Sequence, residues 1–406
     1  MRKIDLSNFQ VATSETARDI NRRILLSLIR KHQPVSRADL SRHSGLQRST
    51  VSSITGELIS ERWVTEGAVH DLPRGRKPTF LHLNAMRSGI FGINVRPFTT
   101  NLALADWEGH FLVQETLPTP ASPDEFVGQI SRRIRELKKL HPQMTYEGLG
   151  VSLPGRIDPY TQRFVFAPNL GWAREREDLK QQLEAKTGLV VELENEANAC
   201  ALSEFWFGDH EEGVRNIIAV AVSEGIGVGM VLNGQLVRGP SGLAGEFGHV
   251  TIHDNGPECA CGNHGCWEVF GSNSAALRFY REKTPRLERN GPASSRIPTA
   301  AEFEELLVLA ERGDSLAGEA IEEMAHHLGS GIALLVTGLA PDLIVVVGEI
   351  TRLWSRVEPI INREIRRRSF THAATRIMAS GPATLPRLRG IIAFVLQKRF
   401  GAPQII

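Results

Sequence analysis

A cluster of cysteines and one histidine near the middle of the chain constrains its fold most. Three of the four cysteines in the 406-residue sequence lie within eight positions, and a histidine precedes the first of them by ten. Three thiolates and one imidazole form a ligand set that zinc takes in closed tetrahedral sites. Such a site has no open position for a substrate, so we expect a structural Zn2+ that holds a loop in shape. The predicted metal ligands are His249, Cys259, Cys261 and Cys266.

Charge divides the chain into two parts. Residues 1–83 carry fourteen lysines and arginines against eight acidic residues, a net charge of +6, whereas the remainder carries 33 against 38. A basic head on an acidic body suggests a nucleic-acid-binding module joined to a domain with another task. Chance variation of surface charge is the alternative, and an excess of this size does not exclude it.

The sequence contains no targeting or membrane-spanning segment that we recognise. The N-terminal residues lack the apolar run of a signal peptide. No apolar run approaches the roughly 18 residues that a membrane span needs. Reduced cysteines that bind a metal also suit the cytoplasm better than a disulfide framework does. We therefore expect a cytoplasmic protein without membrane contact, in which the isolated Cys200 is a buried apolar residue.

The basic head has the spacing of a helix-turn-helix. Apolar residues at helical spacing predict a first helix over residues 16–32. Ser36 and Asp39 then form a variant of the capping box that opens a second helix, and Gly45 makes the turn into a third helix that ends near residue 60. The start of the third helix is polar and suits base edges and phosphates. The residues predicted to contact DNA there are Gln47, Arg48, Ser49, Thr50 and Ser53.

A wing follows the third helix. Two short strands, residues 63–66 and 79–83, flank a basic loop whose tip can reach phosphates or a minor groove. The predicted contacts in this loop are Arg74, Arg76 and Lys77. The helix pattern, the wing and the charge together favour DNA binding. A three-helix domain that binds protein, or a solvated linker in place of the wing, is the alternative.

The body consists of two α/β units that follow the same plan. Three strands in a meander, a helix and a further strand are predicted between residues 89 and 155, and a second unit begins near residue 216. Two alike halves imply a cleft between them, where ligands usually bind. A glycine-rich run over residues 225–229 is typical either of a phosphate-binding loop or of a tight hairpin, and the sequence leaves both open.

The metal cluster and its surroundings carry a family resemblance. Residues 243–249, Leu-Ala-Gly-Glu-Phe-Gly-His, followed by Cys-x-Cys-Gly-x-x-Gly-Cys-x-Glu ending at Glu268, resemble the ROK family (repressor, open reading frame, kinase). The resemblance covers essentially the whole chain, and the head places it with sugar-responsive repressors of xylose, glucose and N-acetylglucosamine genes. It implies an α/β fold: an N-terminal winged helix-turn-helix plus a duplicated actin/hexokinase-like (ribonuclease H-like) body with a sugar cleft. The expected domains are residues 1–83, a first lobe over 84–195 with 388–406 returning to it, and a second lobe with the zinc loop over 196–387.

The resemblance also implies a sugar-binding set. Carboxylates and a neutral imidazole accept hydrogen bonds from sugar hydroxyls, and asparagine amides both donate and accept. His249 would serve twice, with one ring nitrogen on zinc and the other toward the sugar. Trp172 is either a stacking platform for the sugar or a core residue. The expected sugar contacts are Gly155, Asn169, Asn195, Glu196, Glu246, His249 and Glu268.

Three positions depart from the pattern of the family's kinases. Asn94 to Thr99 replaces the small residues that admit ATP phosphates, and Pro97 removes a backbone donor. Glu196 stands where the kinases have the aspartate that acts as general base, and its extra methylene displaces the carboxylate. Glu349 replaces a glycine that contacts the nucleotide. We therefore expect no catalytic residue and no enzyme activity.

These observations predict a DNA-binding, sugar-responsive transcriptional repressor of carbohydrate-utilisation genes. A homodimer or homotetramer would place two heads on a pseudo-palindromic operator, with a monosaccharide as effector. The rival from another class is an ATP-dependent sugar kinase with an attached DNA-binding head. A vestigial sugar pocket on a constitutive repressor is a third possibility.

Overall fold

The computed structural model describes residues 14–67, 79–167, 170–172, 178–211, 213–284, 300–369, 374–381 and 384–400. Four predicted contacts lie outside these ranges, namely Arg74, Arg76 and Lys77 of the wing loop and Asn169 of the sugar set. The helices are α1 (Ser14–His32), α2 (Arg37–Ser44), α3 (Arg48–Ser60), α4 (Pro123–Leu140), α5 (Leu179–Thr187), α6 (Glu196–Phe207), α7 (Glu268–Gly271), α8 (Asn273–Lys283), α9 (Ala300–Glu311), α10 (Ser315–Leu339), α11 (Trp354–Arg368) and α12 (Pro386–Phe400). The strands are β1 (Val35–Ser36), β2 (Val64–Gly67), β3 (Phe80–Leu83), β4 (Ser88–Val95), β5 (Thr99–Ala105), β6 (Phe111–Pro118), β7 (Thr145–Leu153), β8 (Arg156–Ile157), β9 (Phe164–Phe166), β10 (Val191–Asn195), β11 (Ile217–Val222), β12 (Ile226–Leu232), β13 (Gln235–Leu236), β14 (Leu343–Val347) and β15 (Arg376–Ala379).

The head folds as its sequence predicts. The side chain of Ser36 accepts a hydrogen bond from the backbone of Asp39, and the Asp39 carboxylate accepts one from the backbone of Ser36, which completes the capping box of α2. Gly45 ends this helix at φ 72°, a conformation that favours glycine. Strands β2 and β3 pair antiparallel, with β1 on the other edge of β3. The three helices and the small sheet therefore form a winged helix-turn-helix.

The body contains two five-stranded sheets with the same topology. In the first sheet the order is β10-β7-β4-β5-β6, and in the second it is β13-β12-β11-β14-β15. Each begins with an antiparallel meander of three strands, beside which two later strands lie parallel. The prediction of two alike α/β halves is therefore confirmed for the described residues.

Helices α6 and α12 lie together between the two sheets. Apolar residues of both helices share one buried cluster with β11 and β14 of the second sheet. Residues Ile391 and Val395 of α12 also reach the first sheet at Gly150 of β7, where a side chain would collide with them. Because Cys200 is fully buried within the shared cluster, burial raises its pKa to about 12, and it behaves as the small apolar residue that was expected.

The head and the body share a hydrophobic core. Leu25 and Ile29 of α1 belong to the same buried cluster as Trp107 of the first lobe and Leu396 of α12. No helix in the described part of the chain is long and apolar enough to cross a membrane.

Candidate functional site

The four predicted metal ligands converge in the structure. Their ligand atoms all lie within 4.8 Å of one another. His249 Nδ1 is 3.6 Å from Cys259 Sγ, and Cys261 Sγ is 3.7 Å from Cys266 Sγ. Zinc–sulfur bonds of about 2.3 Å in a tetrahedron place two sulfurs roughly 3.8 Å apart, so the donor types and their spacing fit such an ion. This group could hold a metal ion.

The loop that carries the metal ligands has a backbone conformation at Gly265 that only glycine can adopt. Gly265 has φ 68°, and a Cβ there would lie 1.7 Å from the carbonyl oxygen of His253. The close approach brings Cys266 next to the strand-like segment that leads away from His249, where Thr251 and Cys266 form a β-bridge. Cys259 and Cys266 are buried and Cys261 is exposed.

His249 has a different carboxylate near each ring nitrogen. Its Nδ1 lies 3.4 Å from Glu268 Oε1 on the side of the cysteines, and its Nε2 lies 3.7 Å from Glu246 Oε2. The ring therefore has its Nδ1 edge toward the metal group and its Nε2 edge toward Glu246. Burial raises the pKa of the Glu246 carboxyl, opposed by His249 and reinforced by the neighbouring Glu268.

Glu268 rests on the glycine-rich run of the second lobe. Its Oε2 accepts a hydrogen bond from the backbone of Ile226 at 3.4 Å, and a Cβ on Gly225 would lie 2.5 Å from the same oxygen. Farther along β12, a Cβ on Gly229 would lie 2.0 Å from the carbonyl oxygen of Ala197 in α6. The glycines thus leave room for the Glu268 side chain and for the backbone of α6. The run forms the hairpin between β11 and β12, in which small residues allow close packing.

Gly155 and Asn195 form one structural unit. Asn195 caps α6, its Oδ1 accepting from the backbone of Ala197 at 2.8 Å. Its Nδ2 donates to the carbonyl oxygen of Gly155 at 2.8 Å. Both Oδ1 and Nδ2 of Asn195 therefore form hydrogen bonds within the protein. These bonds hold the Pro154–Gly155 turn against the start of the helix. That turn continues into β8, where a Cβ on Gly242 would lie 2.5 Å from the carbonyl oxygen of Ile157.

Glu196 is paired with an arginine that the sequence did not bring to notice. Its Oε2 lies 2.8 Å from Nε of Arg387, the second residue of α12. Arg387 is 8% exposed. Burial alone would lower its pKa, but the surrounding carboxylates, Glu196 first, outweigh burial and raise it. The Glu196 carboxylate is thus held in an ion pair with a largely buried cation.

The stretch from Asn94 to Thr99 contributes an arginine that forms ion pairs with the second lobe. Arg96 Nη1 donates to Glu349 Oε1 at 2.9 Å, and Arg96 Nη2 to Glu224 Oε1 at 3.4 Å. Burial acts to raise the pKa of Glu349, but Arg96 and Arg387 outweigh it, and the pKa lies below its ordinary value. Arg96 belongs to the first lobe and both carboxylates to the second, so the pairs join the lobes across the cleft. A cavity of about 220 Å³ lies beside them.

Trp172 is a core residue. It is 5% exposed, and its indole nitrogen donates to the carbonyl oxygen of Pro120 at 3.1 Å. The indole packs against Phe126 and Phe164. Of the two interpretations of this residue, the structure favours the core one.

Helix α3 carries an exposed polar stripe. Its members recur at helical spacing along one face and comprise Arg48, Ser49, Ser52 and Ser53. Gln47 is exposed and precedes the helix without making a capping hydrogen bond. Thr50 is half-buried, which separates it from the other predicted DNA contacts. Ser52 was missed, although its position four residues after Arg48 places it on the same face.

Comparison with known proteins places the chain in a family. A family model described as ROK family matches residues 91–395, and one described as IclR helix-turn-helix domain matches residues 23–67. The chain belongs to the ROK family. It is 32% identical over 371 residues to the xylose repressor of Bacillus subtilis (strain 168), an alignment that covers 89% of this chain and 90% of that protein.

Solved structures agree with this assignment. A ROK family transcriptional regulator, described as a homolog of the E. coli MLC protein, superposes with a TM-score of 0.78 at 25% identity, covering 95% of this chain and 98% of that chain. A ROK glucokinase from Streptomyces griseus, crystallised with glucose and AMPPNP, superposes with a TM-score of 0.64 at 27% identity, covering 75% of this chain and 98% of that chain. The predicted family and fold class are confirmed. The match to the regulator extends over more of this chain than the match to the kinase does.

Proposed function

We propose that this ROK protein is a DNA-binding transcriptional regulator, a repressor of carbohydrate-utilisation genes, whose operator affinity changes when a monosaccharide binds the body. The observation that carries the proposal is the continuous core that joins a winged helix-turn-helix to a ROK body. The similarity to a xylose repressor along 89% of the chain supports it. The helix-turn-helix supports DNA as a partner, and the ROK body supports a sugar as effector.

The DNA contacts of the proposal lie on the exposed stripe of α3. Arg48 supplies a charged donor for phosphate or guanine, and the serines supply small hydroxyl groups. Gln47, at the start of the helix, has a free amide face for a base edge because it makes no capping bond. The wing residues Arg74, Arg76 and Lys77 and the half-buried Thr50 remain part of the predicted interface. Two such heads in a homodimer or homotetramer would read a pseudo-palindromic operator.

The sugar site of the proposal lies beside the metal loop. Glu246 and Glu268 supply acceptors for hydroxyl groups, Nε2–H of His249 supplies a donor when Nδ1 faces the metal, and Glu196 is a further carboxylate. Gly155 and Asn195 shape the wall from which Glu196 projects, and Asn169 keeps its expected place in the set. D-Xylose is the first sugar to test because of the xylose repressor similarity.

Zinc is the metal that we propose for the His249, Cys259, Cys261 and Cys266 group. A bound Zn2+ would polarise the imidazole and fix its orientation, and it would favour the thiolate form of the cysteines. The four protein ligands leave it no position for substrate, so its role here is to hold the loop that carries Glu246 and Glu268.

We propose that the chain has no sugar kinase activity. Arg96 and Glu349 occupy the region where a nucleotide's phosphates would need glycine and backbone donors. Oε2 of Glu196 lies 2.8 Å from Nε of Arg387, so this carboxylate is already engaged by a cation of the chain. The rival, an active sugar kinase with a DNA-binding head, is supported by the glucokinase similarity of the body alone. Release of ADP from ATP in the presence of D-xylose or D-glucose, above the rate of an Asn195→Ala/Glu196→Ala variant, would establish that rival.

We also propose that the chain consists of three domains. They are residues 1–83 for the DNA head, 84–195 together with 388–406 for the first lobe, and 196–387 for the second lobe.

The function is tested with full-length protein in two steps. A random duplex library is first enriched for sequences that the protein retains, and the strongest duplex is titrated at fixed salt, because affinity for DNA depends steeply on salt. The titration is then repeated with D-xylose, D-glucose and N-acetyl-D-glucosamine. We expect one of these sugars to change the affinity at least about fivefold. Failure to enrich any duplex, or an affinity that none of the sugars changes, would contradict the proposal.

A further inference from the structure

Helix α6 connects the proposed sugar cleft to the DNA head. Its first turn holds Glu196, and its last turn holds Trp206 and Phe207, which pack against the core shared by head and body. Twelve residues at 1.5 Å each span about 18 Å. One rigid element therefore has one end at the cleft and the other end at the head.

The contact at the head is made by an arginine of α1. The guanidinium carbon of Arg30 lies 4.4 Å from the centre of the Trp206 ring. Burial lowers the pKa of Arg30, which shows that its surroundings are poorly solvated, and a cation over an indole is worth more where water is excluded. The distance and the burial make this a close contact between α1 and the end of α6. The contact of Arg30 with Trp206 is called the seat of α1 below.

Helix α12 ties α6 to both lobes. A Cβ on Gly390 would lie 1.6 Å from the carbonyl oxygen of Ala199, so the two helices touch backbone to backbone. At its start, Arg387 of α12 holds Glu196. Farther along, Ile392 and Leu396 lie in the core that contains α1. Because closely packed helices cannot shift independently of each other, we expect α6 and α12 to move together.

The head has a second contact with the body, on the first lobe and within the same hydrophobic core. Trp63 of the head meets Trp107 of the first lobe with ring centres 4.2 Å apart. Gln33 of the head donates from its side chain to Glu108 of the same turn. The head thus rests on the first lobe through Trp107 and Glu108, and on the helix packed against the second sheet through Trp206. Because Phe207 packs on Gly109 of the same turn, a shift of the end of α6 acts on both contacts.

We propose that the α6–α12 pair transmits the state of the cleft to the DNA head, with the seat of Arg30 on Trp206 as its output contact. The proposal rests on the proposed function, since it names the route by which a sugar changes operator affinity. A ligand beside Glu196 that changes the lobe angle displaces the end of α6, and Trp206 carries that displacement to α1. Arg30 and Trp206 are positioning residues, since they touch neither sugar nor DNA in this scheme.

The test separates coupling from binding in the full-length protein. Arg30→Gln and Trp206→Leu are compared with the wild type and with Lys138→Gln, which removes a cation over Tyr146 in the first lobe, away from the head. D-Xylose, D-glucose and N-acetyl-D-glucosamine are tried by calorimetry, and duplex affinity is titrated with and without the sugar that binds wild type. Linkage requires that the duplex change the sugar Kd by the same factor as the sugar changes the duplex Kd.

We expect the sugar Kd of both seat variants in the absence of DNA to stay within about twofold of wild type, while the sugar-induced change in duplex affinity falls from at least about fivefold to under about twofold. Lys138→Gln should keep the full response. Arg30→Lys, which restores a cation, should recover part of it. Arg30→Gln guards against misfolding of Trp206→Leu, because it leaves the indole in place and keeps a polar side chain on α1. A thermal melt checks its fold.

Two results overturn the inference in different ways. If wild type responds to a sugar and both seat variants respond equally well, the coupling route is wrong and the proposed function stands. If wild type itself fails to respond to all three sugars, the proposed function fails and the route fails with it.

Discussion

Arg96 and Glu349 are 253 positions apart in the chain, and their side chains meet at 2.9 Å between the two lobes. Glu224 adds a second carboxylate to this contact. The cleft therefore has its own lobe-to-lobe electrostatic contact, which is independent of any nucleotide.

The stability of the chain should depend on this pair. In Arg96→Ala, Glu349 remains largely buried without its main partner, so we expect the free energy of unfolding to fall by about 2–3 kcal/mol. In Arg96→Ala/Glu349→Gln the loss should be smaller than the sum of the losses in Arg96→Ala and Glu349→Gln. Urea denaturation of wild type and these three variants measures this. Lys180→Ala, which removes a half-exposed pair at 4.0 Å, should cost less than about 0.5 kcal/mol. Strictly additive losses for Arg96 and Glu349 would show that the pair is not coupled.

Acid should weaken the contact between α10 and α11. Burial opposes ionisation of Glu364, but hydrogen bonds from Arg367, Arg368 and His326 lower its pKa from 4.5 to about 2. Because the folded pKa is lowered, the stabilisation is complete above pH 4.5 and disappears as the pH falls toward 2. We expect Glu364→Gln to cost on the order of 2 kcal/mol at pH 7, after allowance for the exposed arginines. Its deficit relative to wild type should shrink at pH 3. The exposed Glu211→Gln should show no such pH dependence, and a constant Glu364→Gln deficit would contradict the assignment.

Glu246 should matter for sugar and not for DNA. Its carboxylate lies 3.7 Å from His249 Nε2, on the edge of the ring away from the cysteines. Glu246→Gln should weaken binding of the responding sugar at least about tenfold, since a charged acceptor is lost, and leave duplex affinity unchanged. Calorimetry and the duplex titration measure the two effects. Asp254→Asn, an exposed carboxylate of the same loop, is the matched control. Equal sugar binding by wild type and Glu246→Gln would remove this residue from the proposed site.

Metal content tests the cysteine cluster. We expect about one zinc atom per chain by elemental analysis, and loss of that atom in Cys259→Ser/Cys266→Ser. The double variant should also melt at a lower temperature, because binding of the metal contributes to folding of the loop. Cys200→Ala, a buried cysteine outside the cluster, should keep its zinc. Purified wild type without zinc that melts at the same temperature after zinc is added would contradict the proposal.

Arg48 should be a main determinant of DNA affinity. Arg48→Ala is expected to weaken duplex binding by about 1–3 kcal/mol, and if the contact is to a phosphate, to lower the salt slope by about one. Sugar binding should not change. Arg132→Ala, which removes an exposed arginine from α4 of the body, should leave duplex affinity within about twofold. An Arg48→Ala protein with wild-type affinity at every salt concentration would move the interface away from α3.

Local patterns in the sequence were enough to predict much of this architecture. The capping box of Ser36 and Asp39 and the turn at Gly45 depend on neighbouring residues, and both were predicted correctly. The metal group was predictable because the chemistry of three thiols and an imidazole in one short segment has few other uses. The doubled sheet topology followed from the period of the apolar residues.

Contacts between distant segments could not be predicted in the same way. The pairing of Glu196 with Arg387 joins residues nearly two hundred positions apart, and no local pattern indicates it. Asn195 stays a predicted sugar contact, but its contact with Gly155 was not predicted, because it joins residues forty positions apart. Trp172 was ambiguous, since an indole suits a core as well as a sugar face.

The most direct test of the account is the affinity of the full-length protein for its selected duplex, measured at one salt concentration with and without saturating D-xylose, D-glucose or N-acetyl-D-glucosamine. The account predicts that one of the three sugars changes the Kd at least about fivefold and that the duplex changes the Kd of that sugar by the same factor. A duplex Kd that is unchanged by all three sugars would contradict it.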